Sequence, residues 1–548
     1  MREIDRLTTE RYATPSLLLM ESAAGAALRE IAARVGGLEG KKALILCGRG
    51  NNGGDGAALA RAMCNAGMNV TLNLIGTVEE TKGDARTNFE IAERLNGYDD
   101  DSPTLSYPLQ FIQTTEPRVW EDTKWIKTGG EHIIVDALFG TGLTRPLEGI
   151  HAQVVEHLER VREYRERDGG RWPLFVSLDL PSGLNADSPD PIGPAVRADL
   201  TVTFTAPKPA NVLPPASLFG GELRVADIGS PQSLLDEAPS RLFLVEAEDA
   251  RAWLRKTCYT PESYKNTHGH ALVVAGSRDM TGAAVLCADA CMRAGAGLVT
   301  LATPVSALPS VAARLMPEVM TAGLAETESG GVSAEASAHL KKLLERADVL
   351  AVGCGLSRDS ESTRRFVREA VEARTTPVVV DADGLNALSP WPRDLRGTRE
   401  APIVLTPHEG EMLRLLGSQD RSALGERARV LAEFAAAHEL IVVLKGTRTL
   451  VADPSGRVCV NPTGNAGLGT AGSGDTLTGI IAGFLAQSYG TLKAEAGAFE
   501  AVLAAVYVGG LAGDLAAREL GMRAMVAGSI REHLGAAFRE LDPGGETP

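Results

Sequence analysis

The stretch "KKALILCGRGNNGGDGAALARAMCNAG", residues 41–67, decides the fold. Its first part, "KKALILCG" (41–48), reads as a short buried strand, and "DGAALARAMCNAG" (55–67) reads as a helix. Between them lies a glycine-rich loop. An apolar run that turns straight into a helix is the unit of a parallel sheet covered on both faces. Gly48, Gly50 and Gly53 satisfy G-x-G-x-x-G after a strand and before a helix, which alone is a weak dinucleotide signal. The next strand ends "NLIG" (73–76) with no acid until Glu79, so an ordinary Rossmann cofactor site is not expected.

The same alternation continues outward. "VTLNLIG" (70–76), "HIIVDALFG" (132–140), "PLFVSLDLPSG" (173–183) and "LTVTFTA" (200–206) read as further strands of a first block. The segment 97–131, with "DDDSP", reads as a polar surface loop, and "GSPQSLLDEAPSRLFLV" (229–245) as a connection. A second block follows with strands "HALVVAG" (270–276), "GLVTLAT" (297–303), "VLAVGCG" (349–355), "PVVVDADG" (377–384), "PIVLTPH" (402–408) and "LIVVLKG" (440–446). No sequence repeat relates the blocks. At 548 residues the chain is too long for one domain, and two are expected, 1–232 and 245–545.

Composition narrows the function classes. With 44% hydrophobic and 23% charged residues the chain reads as soluble and globular. A net charge of −15 argues against nucleic-acid or anionic-membrane binding, so neither partner is expected. It leaves phosphate ligands open, because backbone amides hold them without lysines. Seven cysteines, none in a CxxC pair, fit a reducing cytoplasm. The N-terminus is charged and lacks a signal-like apolar core, and "AVLAAVYVGGLAG" (501–513) reads as a buried helix too short to span a bilayer.

Chemistry-bearing residues collect at predicted strand ends. In the first block, Asn51, Asn52, Gly53, Gly54 and Asp55 follow the first strand. Asp136 falls at a strand end in "VDAL", and the backbone amides of Gly140, Thr141, Gly142, Leu143 and Thr144 together with Arg145 could cradle phosphate. "LDLPSG" adds Asp179 and Ser182. Ligands of open parallel sheets bind at such ends. The oxygen donors of Asn52, Asp136 and Ser182 suit a hard cation. The plainer reading, in which the glycines make a tight turn and Asp179 caps it, stays open.

In the second block, "TAGSGDTLTGIIAGFL" (470–485) sets small residues before Asp475 and an apolar helix. Amides at a helix start stabilise charge on a transferring phosphoryl group, and Asp475 is placed to take a proton from an attacking hydroxyl. No Walker loop is present. "VVDADGLNAL" (379–388) adds Asp381, Asp383 and Asn386, and "LTPHEGEM" (405–412) adds His408 and Glu411. Asp475 as a simple helix cap stays open on residues alone.

The motifs "NNGGD", "DALFGTGLTRP" and "LDLPSG", in that order, resemble the N-terminal domain of NAD(P)H-hydrate epimerases over roughly residues 1 to 230. The motifs "KNTHGHALVVAGS", "TGAA", "RAGAGLVTLATP", "VGCGLS", "DADGLNAL", "TPHEGEM", "LKGTRT" and "NAGLGTAGSGDTLTG" resemble the ADP/ATP-dependent NAD(P)H-hydrate dehydratases of the ribokinase-like superfamily. The resemblance implies two three-layer α/β/α domains with mostly parallel sheets, one Rossmann-like and one ribokinase-like. It implies that Asn51 to Asp55, Gly140 to Pro146 and Asp179 contact the hydrate, with Asp179 as the acid-base group. Asn52, Asp136 and Ser182 would hold potassium. In the second domain Ala284, Gly355, His408 and Asp475 would line the hydrate site, with Asp475 as base. Lys445, Gly446, Thr447, Arg448, Thr449 and Gly474 would bind the nucleotide, and Glu411 would stand near magnesium and phosphate.

The substrates implied are hydrated NADH and NADPH plus ADP, with ATP as the alternative; the cofactors are magnesium and potassium, and the assembly expected is a homo-oligomer. Opening and reclosing the C6–oxygen bond of the hydrate would epimerise it in the first domain. Phosphorylating the C6 hydroxyl would let it leave in the second. The departures are Ser22 where asparagine is commoner, Cys354 where proline is and Ser357 where glycine is. Two other readings are a vitamin or sugar kinase with an accessory domain, and a nucleotide-sensing module without catalysis.

Overall fold

The computed structural model describes residues 1–97, 107–116, 131–167, 169, 173–357 and 360–542. The chain divides into two compact units, Met1–Pro239 and Ser240–Pro548.

In the first unit the strands are β1 (Lys42–Cys47), β2 (Asn69–Ile75), β3 (Leu109–Thr114), β4 (Ile133–Ala137), β5 (Leu174–Leu178), β6 (Leu200–Phe204) and β7 (Glu222–Ala226). They lie in the order β3-β2-β1-β4-β5-β6-β7, and each pairing is parallel. Strand order reverses at β1 and β4, which opens a crevice at their carboxyl ends. Strand alternation explains why both faces are covered. Ala43, Ile45 and Cys47 pack under helices Ser16–Val35 and Asn51–Asn65, while Leu44 and Leu46 pack under helix Gly149–Arg167.

Two expectations change here. The helix after β1 starts at Asn51, not near Asp55, so "NNGGD" is its first turn and not a loop. Glycine permits this: a Cβ on Gly53 would stand 1.8 Å from the Gly48 carbonyl oxygen, and one on Gly56 would stand 2.6 Å from Cys47 Sγ. Segment 97–131 is not a plain loop, because Leu109–Thr114 forms edge strand β3, anchored by buried Leu109 and by Phe111 against the core. Residues 98–106, which include "DDDSP", and 117–130 lie outside the described residues.

The second unit begins with β8 (Leu242–Leu244), inside the stretch expected to be a connection. Then come β9 (His270–Val274), β10 (Leu298–Pro304), β11 (Met320–Leu324), β12 (Val349–Val352), β13 (Val378–Val380), β14 (Ile403–Leu405), β15 (Ile441–Leu444), β16 (Leu450–Ala452) and β17 (Val458–Val460). The sheet runs β11-β10-β9-β12-β13-β14-β15-β16-β17-β8. It is parallel except where β15, β16 and β17 pair antiparallel. Helices Thr281–Arg293, Ser473–Gln487, Ala498–Leu520 and Ala527–Leu541 share one core with Val273, Ala351, Val379 and Val443. Ala498–Leu520 is long and apolar enough to cross a membrane by length and composition, yet 72% of its apolar window is buried within the protein. A buried helix, apolar all round, needs no bilayer to explain it.

Candidate active sites

A cavity of about 600 Å³ opens where β1, β4, β5 and β6 end. Asn51, Asn52 and Asp55 reach it from the helix after β1, Gly140 to Gly142 from the loop after β4, and Asp179 from the end of β5. Asp179 is 9% exposed and holds a left-handed backbone, φ 66°. Thr205, also in the wall, has φ 66° as well. Non-glycine residues in that region are strained and cluster at functional sites. Asp179 Oδ1 accepts from Thr203 Oγ1 at 3.2 Å, from the Phe204 amide at 3.4 Å and from the Lys208 ammonium. Lys208 is 4% exposed and also donates to Thr203 Oγ1 at 2.8 Å and the Phe204 carbonyl at 3.0 Å. A Cβ on Gly140 would stand 3.1 Å from Asp179 Oδ2, so glycine lets the loop close over the carboxylate.

A second acid shares the wall. Burial, and then the charges of Asp179 and Asp5, push the Asp55 carboxyl well above the usual range, against the pull of Lys208. Asp5 comes from helix Arg2–Tyr12, and burial raises it too. The site therefore holds one carboxylate tied to an ammonium and a neighbour biased toward its neutral form. That division suits paired proton acceptor and donor roles.

Beside the cavity lies an oxygen cluster. Asp136 is 2% exposed and accepts from Ser182 Oγ at 2.5 Å, the Ser182 amide at 2.8 Å, Ser177 Oγ at 2.9 Å and the Leu138 amide at 3.3 Å. Burial outweighs these bonds and raises its carboxyl. No Lys or Arg pairs with it among the described residues. Asn52 Nδ2 donates to the Leu178 carbonyl at 2.8 Å, but its buried Oδ1 has no partner. An orphaned amide oxygen and a buried carboxylate without a Lys or Arg partner among the described residues are donors of the kind a hard cation takes.

Not every expected residue of this unit reaches the cavity. Gly53 and Gly54 serve packing: a Cβ on Gly54 would stand 2.8 Å from Ala85 Cα. Leu143 is buried in the core, and Thr144, Arg145 and Pro146 are exposed beyond the wall. Lys208, Asp5 and Arg2 were not anticipated; Arg2 Nη2 binds the Thr141 carbonyl at 2.7 Å. A lysine in "PKP" directly after a strand was the available signal for Lys208.

In the second unit another cavity of about 600 Å³ is walled by Met280, Gly282, Ala283, Gly355, Ser357, Ala382, Asp383 and Asp475. Asp475 lies in the first turn of helix Ser473–Gln487, whose start at Gly472 (φ 86°) has no side-chain cap. The Ser473 amide donates to the Thr470 carbonyl at 3.4 Å, which leaves the Gly474 and Asp475 amides for an anion, and the helix dipole favours one there. Burial first, then the charge of Asp381, pushes the Asp475 carboxyl up to about 6. Asp381, after β13, is 1% exposed. It accepts from Lys445 Nζ at 2.7 Å, Thr478 Oγ1 at 2.6 Å and the Ala382 amide at 2.8 Å. Burial would raise it, but Lys445 and these bonds prevail and hold it below the usual range. Lys445 Nζ also stands 3.9 Å from Glu411 and 3.3 Å from where a Cβ on Gly474 would be.

Asp381 and Glu411 thus flank one ammonium, whose charge also acts on Asp475. Backbone strain recurs, with Ser357 at φ 77° and Ala382 at φ 49°. Gly355 has φ 64°, and a Cβ there would stand 2.9 Å from Ala283 Cβ.

The structure refines several expected roles. Ala284 is fully buried, and Gly282 and Ala283 form the wall in its place. His408 caps helix Glu409–Leu415: Nδ1 accepts from the Gly410 amide at 3.0 Å, and Nε2 stands 3.5 Å from Glu411 Oε1. Gly446, Thr447, Arg448 and Thr449 form the turn between β15 and β16, where Arg448 donates to the Pro462 carbonyl at 2.6 Å. Thr478, one helical turn past Asp475, was missed, although i, i+3 spacing puts both on one face.

Comparisons with known proteins agree with this division. A family model described as YjeF-related protein N-terminus matches residues 16–210, and one described as NAD(P)H-hydrate dehydratase matches residues 271–535. A bifunctional NAD(P)H-hydrate repair enzyme of Moorella thermoacetica is 40% identical, over 100% of this chain and 97% of the relative. One of Thermofilum pendens is 37% identical, over 98% of this chain and 95% of the relative. Among solved structures, the ADP/ATP-dependent NAD(P)H-hydrate dehydratase of Bacillus subtilis co-crystallized with ATP/Mg2+ is 30% identical. It covers 55% of this chain and 98% of that one, with a TM-score of 0.45.

Proposed function

Because the chain belongs to the family of bifunctional NAD(P)H-hydrate repair enzymes, we propose that its two cavities divide one repair between them. The first unit carries the epimerase and the second the nucleotide-dependent dehydratase. In the epimerase site Asp179 is the acid-base group at the C6 hydroxyl, held in place by Lys208. Asn52, Asp136 and Ser182 would hold potassium, which would supply a fixed positive charge near the substrate when bound; the orphaned Asn52 Oδ1 supports this.

In the dehydratase site Asp475 takes the proton from the C6 hydroxyl of the S epimer. That oxygen attacks the terminal phosphorus of ADP, and AMP leaves. The amides of Gly474 and Asp475 and the Lys445 ammonium steady the negative charge on the phosphoryl group. The ring nitrogen then expels phosphate, C5 loses a proton, and the reduced nicotinamide is restored. Glu411, whose Oε2 accepts from the His408 amide at 2.8 Å and stands 3.9 Å from Lys445 Nζ, is the carboxylate that would help hold magnesium, which would neutralise phosphate charge when bound. Asp381 is already committed to Lys445 and Thr478. The hydrates and ADP are soluble metabolites, and all seven cysteines are free, so we place the reaction in the cytoplasm.

The observation that carries this reading is Asp475, with its carboxyl pushed up to about 6, standing at an uncapped helix start above a cavity. The test is incubation of the S hydrate of NADH with ADP and magnesium. Reduced cofactor and free phosphate should appear together in equal amounts, and Asp475→Asn should lose turnover while still binding ADP. A stable phosphorylated product would instead indicate a kinase.

A further inference from the structure

The dehydratase cavity does not end at the ring-binding residues. A neighbouring cavity of about 440 Å³ shares Ser357 and Asp383 with it and continues past helices Asp383–Ala387 and Glu409–Leu415. Arg364, which also stands 3.8 Å from Glu361, and Arg414 line this second space, two guanidinium groups against the single acid Asp383 in its wall. Arg414 Nε donates to Asn386 Oδ1 at 2.8 Å, which fixes the guanidinium's orientation. Asn386 Nδ2 is buried in the same wall and has no hydrogen-bond partner. A buried donor left unpaired is costly unless a ligand satisfies it. Two guanidinium groups beside an unused amide donor form an anion site, and guanidinium matches the geometry of phosphate with paired N–H donors.

The hydrated ring is one end of a long molecule, joined through ribose and two bridging phosphates to adenosine. A ligand whose ring stands at Asp475 and Gly355 must run out of the first cavity, and Ser357 and Asp383 are the wall common to both. Asp383 at that junction suits a ribose hydroxyl, which needs an acceptor. We infer that the second cavity receives the phosphate-bearing adenosine half of the hydrated dinucleotide, with Arg364, Arg414 and Asn386 Nδ2 as its phosphate partners. This rests on the dehydratase reading of the adjoining cavity. The phosphate is either the bridging diphosphate, common to both hydrates, or the 2′-phosphate carried by the NADPH hydrate alone.

The test is steady-state kinetics of the full chain and its Arg414→Gln and Arg364→Gln variants at saturating ADP. Three substrates are compared: the S hydrates of NADH, of NADPH, and of reduced nicotinamide riboside, which carries no phosphate. Each variant should raise KM for a dinucleotide hydrate by about tenfold, the loss of one charge-assisted hydrogen bond. The kcat and the KM for ADP should stay put, and kcat/KM for the riboside hydrate should match wild type. Arg414→Lys, which keeps the charge, should recover part of the loss. A rise confined to the NADPH hydrate assigns the 2′-phosphate, and a rise for both assigns the bridging diphosphate. Unchanged KM for both dinucleotide hydrates, with wild type active, overturns the subsite alone, as does an equal loss with the riboside hydrate. Absence of wild-type turnover overturns the dehydratase reading and the subsite with it.

Discussion

Asp475 is set for its task by what surrounds it. An ordinary carboxylate is a weak base at neutral pH, and burial together with the Asp381 charge brings its pKa to about 6. The raised value means the folded protein holds this proton more tightly than the unfolded chain. Dehydratase kcat/KM should therefore fall as pH drops through about 6, not near the ordinary carboxylate value. Stability shows the opposite sign: the bound proton favours the fold at low pH, and that contribution is lost as pH rises through about 6. Asp475→Asn should consequently unfold at a higher temperature than wild type at pH 8 and at the same temperature near pH 4. A pH–rate profile and melting curves at the two pH values check both outcomes. Asp179 is controlled differently, by a buried lysine bonded to one oxygen while the other faces Gly140. Nothing in the pattern around "LDLPSG" announces that lysine, because it arrives from the next strand's loop. Side-chain partners brought together by topology leave only faint marks in sequence.

At the scale of elements, both sites are built from glycines that let segments approach closely. Gly355 has φ 64° and lies 2.9 Å, by its would-be Cβ, from Ala283. An alanine there meets a left-handed backbone penalty of about 1–2 kcal/mol, and the clash adds to it. Gly355→Ala should lower the melting temperature of the second unit and push its wall into the cavity, raising KM for the hydrate more than KM for ADP. Calorimetry and initial rates test this. Strands β1, β2, β4–β6, β9, β10 and β12–β15 were legible from apolar runs alone, since a strand buried on both faces announces itself; the short strands β7, β8, β11, β16 and β17 were not. The start of helix Asn51–Asn65 was not. Asparagine and glycine are poor helix formers, and packing on β1 overrides their preference. Edge strand β3 was hidden for a similar reason: a polar run beside it outweighed the short "LQFIQT". Ala284 shows the limit of motif transfer, for a matching residue can be buried while its neighbours form the wall.

For the molecule as a whole, one chain carries two chemistries that share a substrate. The dehydratase is expected to use one epimer, so the value of the first unit lies in supplying it. Asp179→Ala should leave the initial rate on the S hydrate unchanged while the R hydrate accumulates unrepaired. Chiral separation of residual hydrate after exhaustive reaction with ADP measures this, and complete consumption of both epimers would remove Asp179 from the epimerase site. The three residues of β8 bear on this arrangement. They sit where a linker was expected, yet Leu242, Phe243 and Leu244 pair with Val458, Cys459 and Val460, and Arg241 donates to the Ser455 carbonyl at 2.6 Å. The junction is therefore not a neutral breakpoint for recombination. A hybrid gene that takes its second half from a relative and splices at 245 would inherit a sheet edge matched to another chain's strand. One spliced at 240 would carry strand and edge together, and that is where shuffling of such halves can proceed without a seam.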